Sequence, residues 1–134
     1  MIKVVSLFRR KPGLTHEEFR DYYENEHVKL FKKYFEQPGV ERYVRRYLTP
    51  IEDSIAGEYR NAGFDVITEV WLSDPAIYES LYKSENIDPE FQAFIAADEE
   101  KFLDRQHMYA HVVEEFEADY VRSREGLGDE FVAS

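Results

Sequence analysis

Four histidines, no cysteine and twenty-eight Asp and Glu are the groups in this 134-residue chain best suited to moving protons or holding a metal. His27 stands out by its position. Winding residues 15–36 as a helix at about 100° per residue gathers Phe19, Leu30, Tyr23, Tyr34, His27 and Phe31 within about 120° of arc. His27 therefore falls inside an apolar stripe. An imidazole held among aromatic rings has a pKa that burial and neighbours can move across neutrality, which is what a general acid or base requires. The plain alternative is a core histidine satisfied by a carbonyl or a water. Glu26 lies at the edge of the stripe, orienting a partner or reaching solvent.

The matching carboxylate is Asp98. On a helix from Asp88-Pro89 to about Leu103 it falls among Phe91, Phe94, Ile95 and Phe102, whereas Glu99 and Glu100 are read as lying farther round. A buried carboxylate needs a cation, hydrogen-bond donors or a raised pKa. If both helices cover one sheet face, His27 and Asp98 meet as an acid/base or base/orienter pair; the competing reading ties Asp98 to Arg45 or to nearby backbone. Tyr23 on the His27 face, Tyr43 and Trp71 on strands and His111 on the last strand are candidate substrate contacts. For the strand aromatics ordinary packing is the alternative, and for His107 and His111 a dimer interface. On a strand these two histidines stand roughly 13 Å apart, too far to share one ion. No zinc is expected there.

These residues require a framework. Alternation over Ile2–Phe8, ended by Pro12-Gly13, predicts a first strand. Thr15 with Glu18 forms a capping-box signature for a helix that runs unbroken to about residue 36, before Pro38-Gly39. Val40–Leu48 and Asp65–Leu72 read as the second and third strands, joined by residues 49–64, a loop or lid. Asp74-Pro75 opens a short helix to about Tyr82, Asp88-Pro89 opens another, and Gln106–Phe116 reads as the fourth strand. The order β-α-β-β-α-β is that of a ferredoxin-like α+β fold with a four-stranded antiparallel sheet. Residues 1–116 form the domain and 117–134 a polar tail. Helices on one face leave the other bare, and a homodimer is the economical cover.

Composition narrows the function. Without cysteine there are no disulfides and no thiolate chemistry. The net charge of −11 argues against nucleic acid or an anionic membrane as partner, and no apolar run reaches membrane-span length, so a soluble, cytoplasmic protein is expected. The charge is split, with eleven Lys and Arg against seven Asp and Glu in residues 1–46 and six against twenty-one thereafter. Phosphate loops, dinucleotide fingerprints, nucleophile elbows and clustered carboxylates are missing from the sequence. The simplest expectation is side-chain acid/base work in an apolar pocket, with no cofactor and no metal.

Arg10-Lys11-Pro12-Gly13-Leu14-Thr15, Glu17-Glu18-Phe19, Tyr22-Tyr23 and Glu26-His27, followed by Asp98-Glu99-Glu100-Lys101-Phe102-Leu103-Asp104 and Val113-Glu114-Glu115, resemble the EthD family over about residues 1–116. The resemblance implies a dimeric α+β barrel, in which two such sheets pack together and each subunit keeps a pocket between sheet and helices. It implies His27 as the catalytic candidate and assigns the acidic motif to Asp98. The family takes its name from an ether-degradation gene cluster, and similar domains in polyketide pathways are linked to decarboxylation, dehydration and anthrone oxidation. Related barrels include cofactor-independent monooxygenases, isomerases, cyclases and haem-degrading enzymes. The expected function is a cofactor-independent lyase or isomerase acting on a hydrophobic aromatic or polyketide-like molecule. The alternatives are a cofactor-independent monooxygenase or a non-catalytic accessory protein of an oxidation system.

Overall fold

A computed structural model describes residues 1–51 and 62–121. Most of the 49–64 connection and most of the 117–134 tail thus lie outside the described residues. Four strands, β1 (Ile2–Arg10), β2 (Val40–Tyr47), β3 (Val66–Leu72) and β4 (Leu103–Val112), form one antiparallel sheet in the order β2-β3-β1-β4. Helical segments α1 (His16–Tyr22), α2 (Val28–Leu30), α3 (Lys32–Phe35), α4 (Pro75–Tyr82) and α5 (Pro89–Glu99) complete the ferredoxin-like α+β arrangement.

Burial along β3 alternates strictly: Val66, Thr68, Val70 and Leu72 are buried and the residues between them only partly so. The period of two fixes which face meets the helices. Two apolar clusters fill that interface. Phe19, Tyr23, Val66, Phe102 and Leu103 form one, and Val4, Val70, Leu72 and Leu81 the other.

Three boundaries differ from the sequence reading. The first helix is not continuous: a π-helical turn, Tyr23–His27, separates α1 from α2, and the chain kinks at Phe31 before α3. Neither Pro nor Gly marks the change. Hydrophobic periodicity reports which side of a helix is buried and is blind to one extra residue in a turn. The last helix stops at Glu99 rather than near Leu103, because Lys101 and Phe102 donate to carbonyls only three residues back and tighten the chain into a turn. β4 accordingly starts at Leu103 and ends at Val112 instead of spanning 106–116. Its partner β1 begins at Ile2, so past the bond from the Val113 amide to the Lys3 carbonyl little of that strand is left to pair.

The starts were readable. Thr15 caps α1 through a reciprocal capping box with Glu18, and Asp74 and Asp88 cap α4 and α5 with Pro in the first turn. Gly39, at φ 98°, turns the chain into β2 close under Ile77 of α4, where a Cβ would collide with the isoleucine side chain.

Candidate active site

The π turn sets the site. Within it Tyr23 and His27 are both buried, with ring centroids 5.4 Å apart edge to face. His27 is 3% exposed, enclosed by Phe31 at 5.2 Å and Phe102 at 4.7 Å between centroids. Its Nδ1 lies 2.7 Å from Asp98 Oδ2, and the second carboxylate oxygen accepts from the Tyr22 hydroxyl at 2.6 Å. Lys101 Nζ stands 3.6 Å from that oxygen at the solvent edge. Arg45, the other candidate partner for Asp98, instead forms a two-pronged pair with Glu24, at 2.7 and 2.9 Å, and Glu24 also accepts from Tyr47.

Burial and hydrogen bonding shift both members of this pair. Burial pushes the His27 pKa below its ordinary 6.5, and Asp98, which favours the charged ring, only partly offsets it. For Asp98, burial acts to raise the pKa, but the bonds from Tyr22 and His27 and the nearby Lys101 charge outweigh it and leave the carboxyl below its usual range. The Tyr22 hydroxyl is pushed up to about 12 by burial and by Asp98. At neutral pH the pair is a neutral imidazole donating Nδ1–H to a carboxylate, which leaves the lone pair on Nε2. Nε2 has no hydrogen-bond partner among the described residues.

His27 borders a hollow of about 130 Å³ between the helices and the sheet, with Tyr23, Tyr43 and Thr68 on its wall. The Tyr23 hydroxyl bonds Thr68 Oγ1 at 3.0 Å and the Tyr43 hydroxyl at 3.2 Å, a chain of hydroxyls among the residues that line the hollow. A cleft of about 450 Å³ adjoins it, sharing Phe31, Phe35, Tyr82 and Glu99 with the inner hollow. Its walls present flat faces: Tyr34 stacks on Phe91 at 4.7 Å and Phe31 on Phe35 at 5.1 Å. A third hollow, of about 570 Å³ and flanked by Arg9, His16 and Asp65, has no lining residue in common with either.

Of the candidate residues, the fold thus brings His27, Asp98, Tyr23 and Tyr43 together. Trp71 and His111 are elsewhere. Trp71 pairs with Lys3, and His111 with Val5, on the sheet face turned away from the helices, where the indole N–H donates to Glu69 and Lys3 and Arg42 lie over the ring. Odd-numbered positions of β3 cannot reach the helix side without a bulge, so Trp71 cannot line this hollow within its own subunit. His107 bonds Asp104 at 2.7 Å. Among the described residues no group of three or more His, Asp or Glu is placed to hold a metal.

The sequence reading that sets Glu99 farther round the helix than Asp98 is corrected by the structure. Glu99 lines both hollows, and it is the i+4 neighbour of buried Ile95, a spacing that places the two on one helical face. Arg105, its ion-pair partner at 3.7 Å, carried no such signal, since only the turn after α5 brings it back.

The EthD domain model matches residues 11–106. The chain belongs to the EthD family. An EthD family protein from Bacillus halodurans is 23% identical, with a TM-score of 0.54 over 87% of this chain and 99% of its own. SnoaB, a cofactor-independent oxygenase from Streptomyces nogalater, has a TM-score of 0.50 at 12% identity over 88% of this chain and 95% of its own. A dimeric protein of unknown function with a ferredoxin-like fold, from Bacteroides fragilis, also has a TM-score of 0.50, at 9% identity over 85% of this chain and 95% of its own. At these identities the solved structures speak to the fold alone. No curated protein matches this EthD chain.

Proposed function

We propose that this EthD-family chain is a cofactor-independent acid/base enzyme, of lyase or isomerase type, acting on a flat hydrophobic molecule with a carbonyl group. One observation carries the reading: His27 presents an unengaged Nε2 beside a hollow while Asp98 holds Nδ1. Such a base takes a proton from carbon next to a carbonyl, with its tautomer and orientation already set. Asp98 then stabilises the imidazolium that forms, and Tyr22 steadies Asp98. The hollow of about 130 Å³ admits only the reacting end of such a molecule, and the stacked rings of the outer cleft suit an aromatic body. A second reading is oxygenation without a cofactor, in which the same base prepares a carbanion for dioxygen. The fold shared with SnoaB and the aromatic walls favour it.

We further infer a homodimer joined through the open sheet face. Val5, Leu7, Val44, Ile67 and Trp71 lie there, and the Bacteroides fragilis relative of this fold is dimeric.

The test is deuterium exchange at the α-carbons of 2-tetralone, an enolisable aryl ketone, followed by proton NMR in heavy water. The native chain should exchange above background, and His27→Ala should lose about 100-fold or more of that rate. Equal rates in the two would end the proposal. Oxygen uptake with the same ketone would move the balance to the oxygenase reading.

A further inference from the structure

Glu99 sits where the two hollows join. Its side chain is 13% exposed, yet among the described residues no donor makes a hydrogen bond to its carboxyl. Arg105 Nε approaches Oε1 only to 3.7 Å, too long for a hydrogen bond. The contrast with its neighbour is informative. Asp98 spends both oxygens on Tyr22 and His27, whereas the Glu99 carboxyl is left to the cavity. A largely buried carboxylate without donors is unfavourable, and the strain is relieved by holding a proton or by meeting a ligand's polar atom.

The surroundings favour the proton. Burial raises the Glu99 pKa, as do Asp98 on its own helix and Glu100 just past its end, against Arg105 of β4. Tyr82 of α4 and His27 share the hollow's wall with it, and the first is itself held protonated by burial. The lining of the hollow thus includes a base whose pKa is lowered and an acid whose pKa is raised, each moved toward the form that proton abstraction or donation needs near neutral pH.

We propose that the Glu99 carboxyl is the second proton-transferring group of this site, donating to the substrate's carbonyl oxygen as His27 Nε2 takes a proton from the adjacent carbon. The assignment rests on His27 acting as the base. In the step the C–H bond breaks and its proton goes to Nε2. The electron pair becomes the carbon–carbon double bond, and the carbonyl π pair moves onto oxygen. That oxygen takes the Glu99 proton, giving an enol, a glutamate facing Arg105 and an imidazolium facing Asp98. No oxidant or reductant enters. The site resets when carbon recovers a proton from His27 and Glu99 recovers one from the enol. The substrate class is therefore an enolisable ketone on an aromatic skeleton.

The experiment is the exchange of 2-tetralone measured across pH for the native chain, His27→Ala, Glu99→Gln and Glu99→Asp, together with fluorescence binding of 2-naphthol, which carries a hydroxyl on the same flat skeleton. Glu99→Gln should bind 2-naphthol within about threefold of the native chain while its exchange rate falls by about 10- to 100-fold. It should also lose the alkaline limb of the pH profile, and Glu99→Asp should restore part of both. Native exchange that His27→Ala abolishes and Glu99→Gln leaves untouched overturns the role of Glu99 and spares that of His27. Exchange that survives His27→Ala, or is absent from the native chain, overturns the base and Glu99 with it.

Discussion

At the scale of single residues, the proposed site rests on three titratable groups: burial lowers the His27 pKa and raises that of Glu99, while hydrogen bonds hold Asp98 low. In the proposed mechanism Asp98 acts through His27, so its replacement should show in a pH profile and not merely in a rate. Both contributions of Asp98 raise the His27 pKa, and Asp98→Asn removes them. The acid limb of 2-tetralone exchange should then move to lower pH while the rate above it falls, as measured by NMR. Stability linkage has opposite signs for the two cavity groups. His27 folds with a pKa below 6.5, so the stability it contributes is present above that pH and is lost as pH falls through the lower folded value. Glu99 folds with a pKa above 4.5, so its contribution is full below that pH and is lost as pH rises through the higher folded value. Glu99→Gln should therefore melt at a higher temperature than the native chain at neutral pH, with the gain fading below pH 4.5, as followed by circular dichroism. Unchanged melting at neutral pH would mean that the carboxyl is not strained by its burial.

At the scale of elements, a few contacts hold the helices at the right height over the sheet. Phe102, 0% exposed, touches Phe19, Tyr22, Tyr23 and His27 from the turn after α5. Phe102→Ala should destabilise the fold by about 3–5 kcal/mol in urea titration and open a void beside the imidazole. Gly39 has a different task. Its positive φ and the close approach of Ile77 leave no room for a side chain, so Gly39→Ala should cost about 1 kcal/mol or more by the same measurement. The π turn belongs to this scale as well. By seating Tyr23 and His27 on one side of the helix, it brings the Tyr23 hydroxyl and the imidazole to the same hollow.

At the scale of the whole molecule, the sheet has two unlike faces. One face, roofed by α1 to α5, holds the hollows; the other carries Trp71, Val5, Leu7 and Ile67 among Lys3, Arg42, Arg46 and Glu69. With this face as the dimer contact, Leu7→Asp should convert the dimer to a monomer in sedimentation velocity, because it places a desolvated charge in the interface. Retention of the dimer would move the contact elsewhere. Among the described residues no helix is long and apolar enough to cross a membrane.

The succession of strands and helices along the chain, the helix caps and the apolar stripe that contains His27 are legible in the residues alone, because alternation, helical period and capping chemistry are local and are written within a few residues. Periodicity also sorted the strand faces. It did not say which face the helices would cover, so it grouped Trp71 and His111 with residues on the other side of the sheet. It takes the folded chain to show that Asp98 pairs with His27 and not Arg45, that a π turn interrupts the first helix and that Glu99 lines the cavity with no hydrogen-bond donor among the described residues. Those outcomes depend on distances between elements far apart in the chain, and a pairing across 71 residues has no local signature.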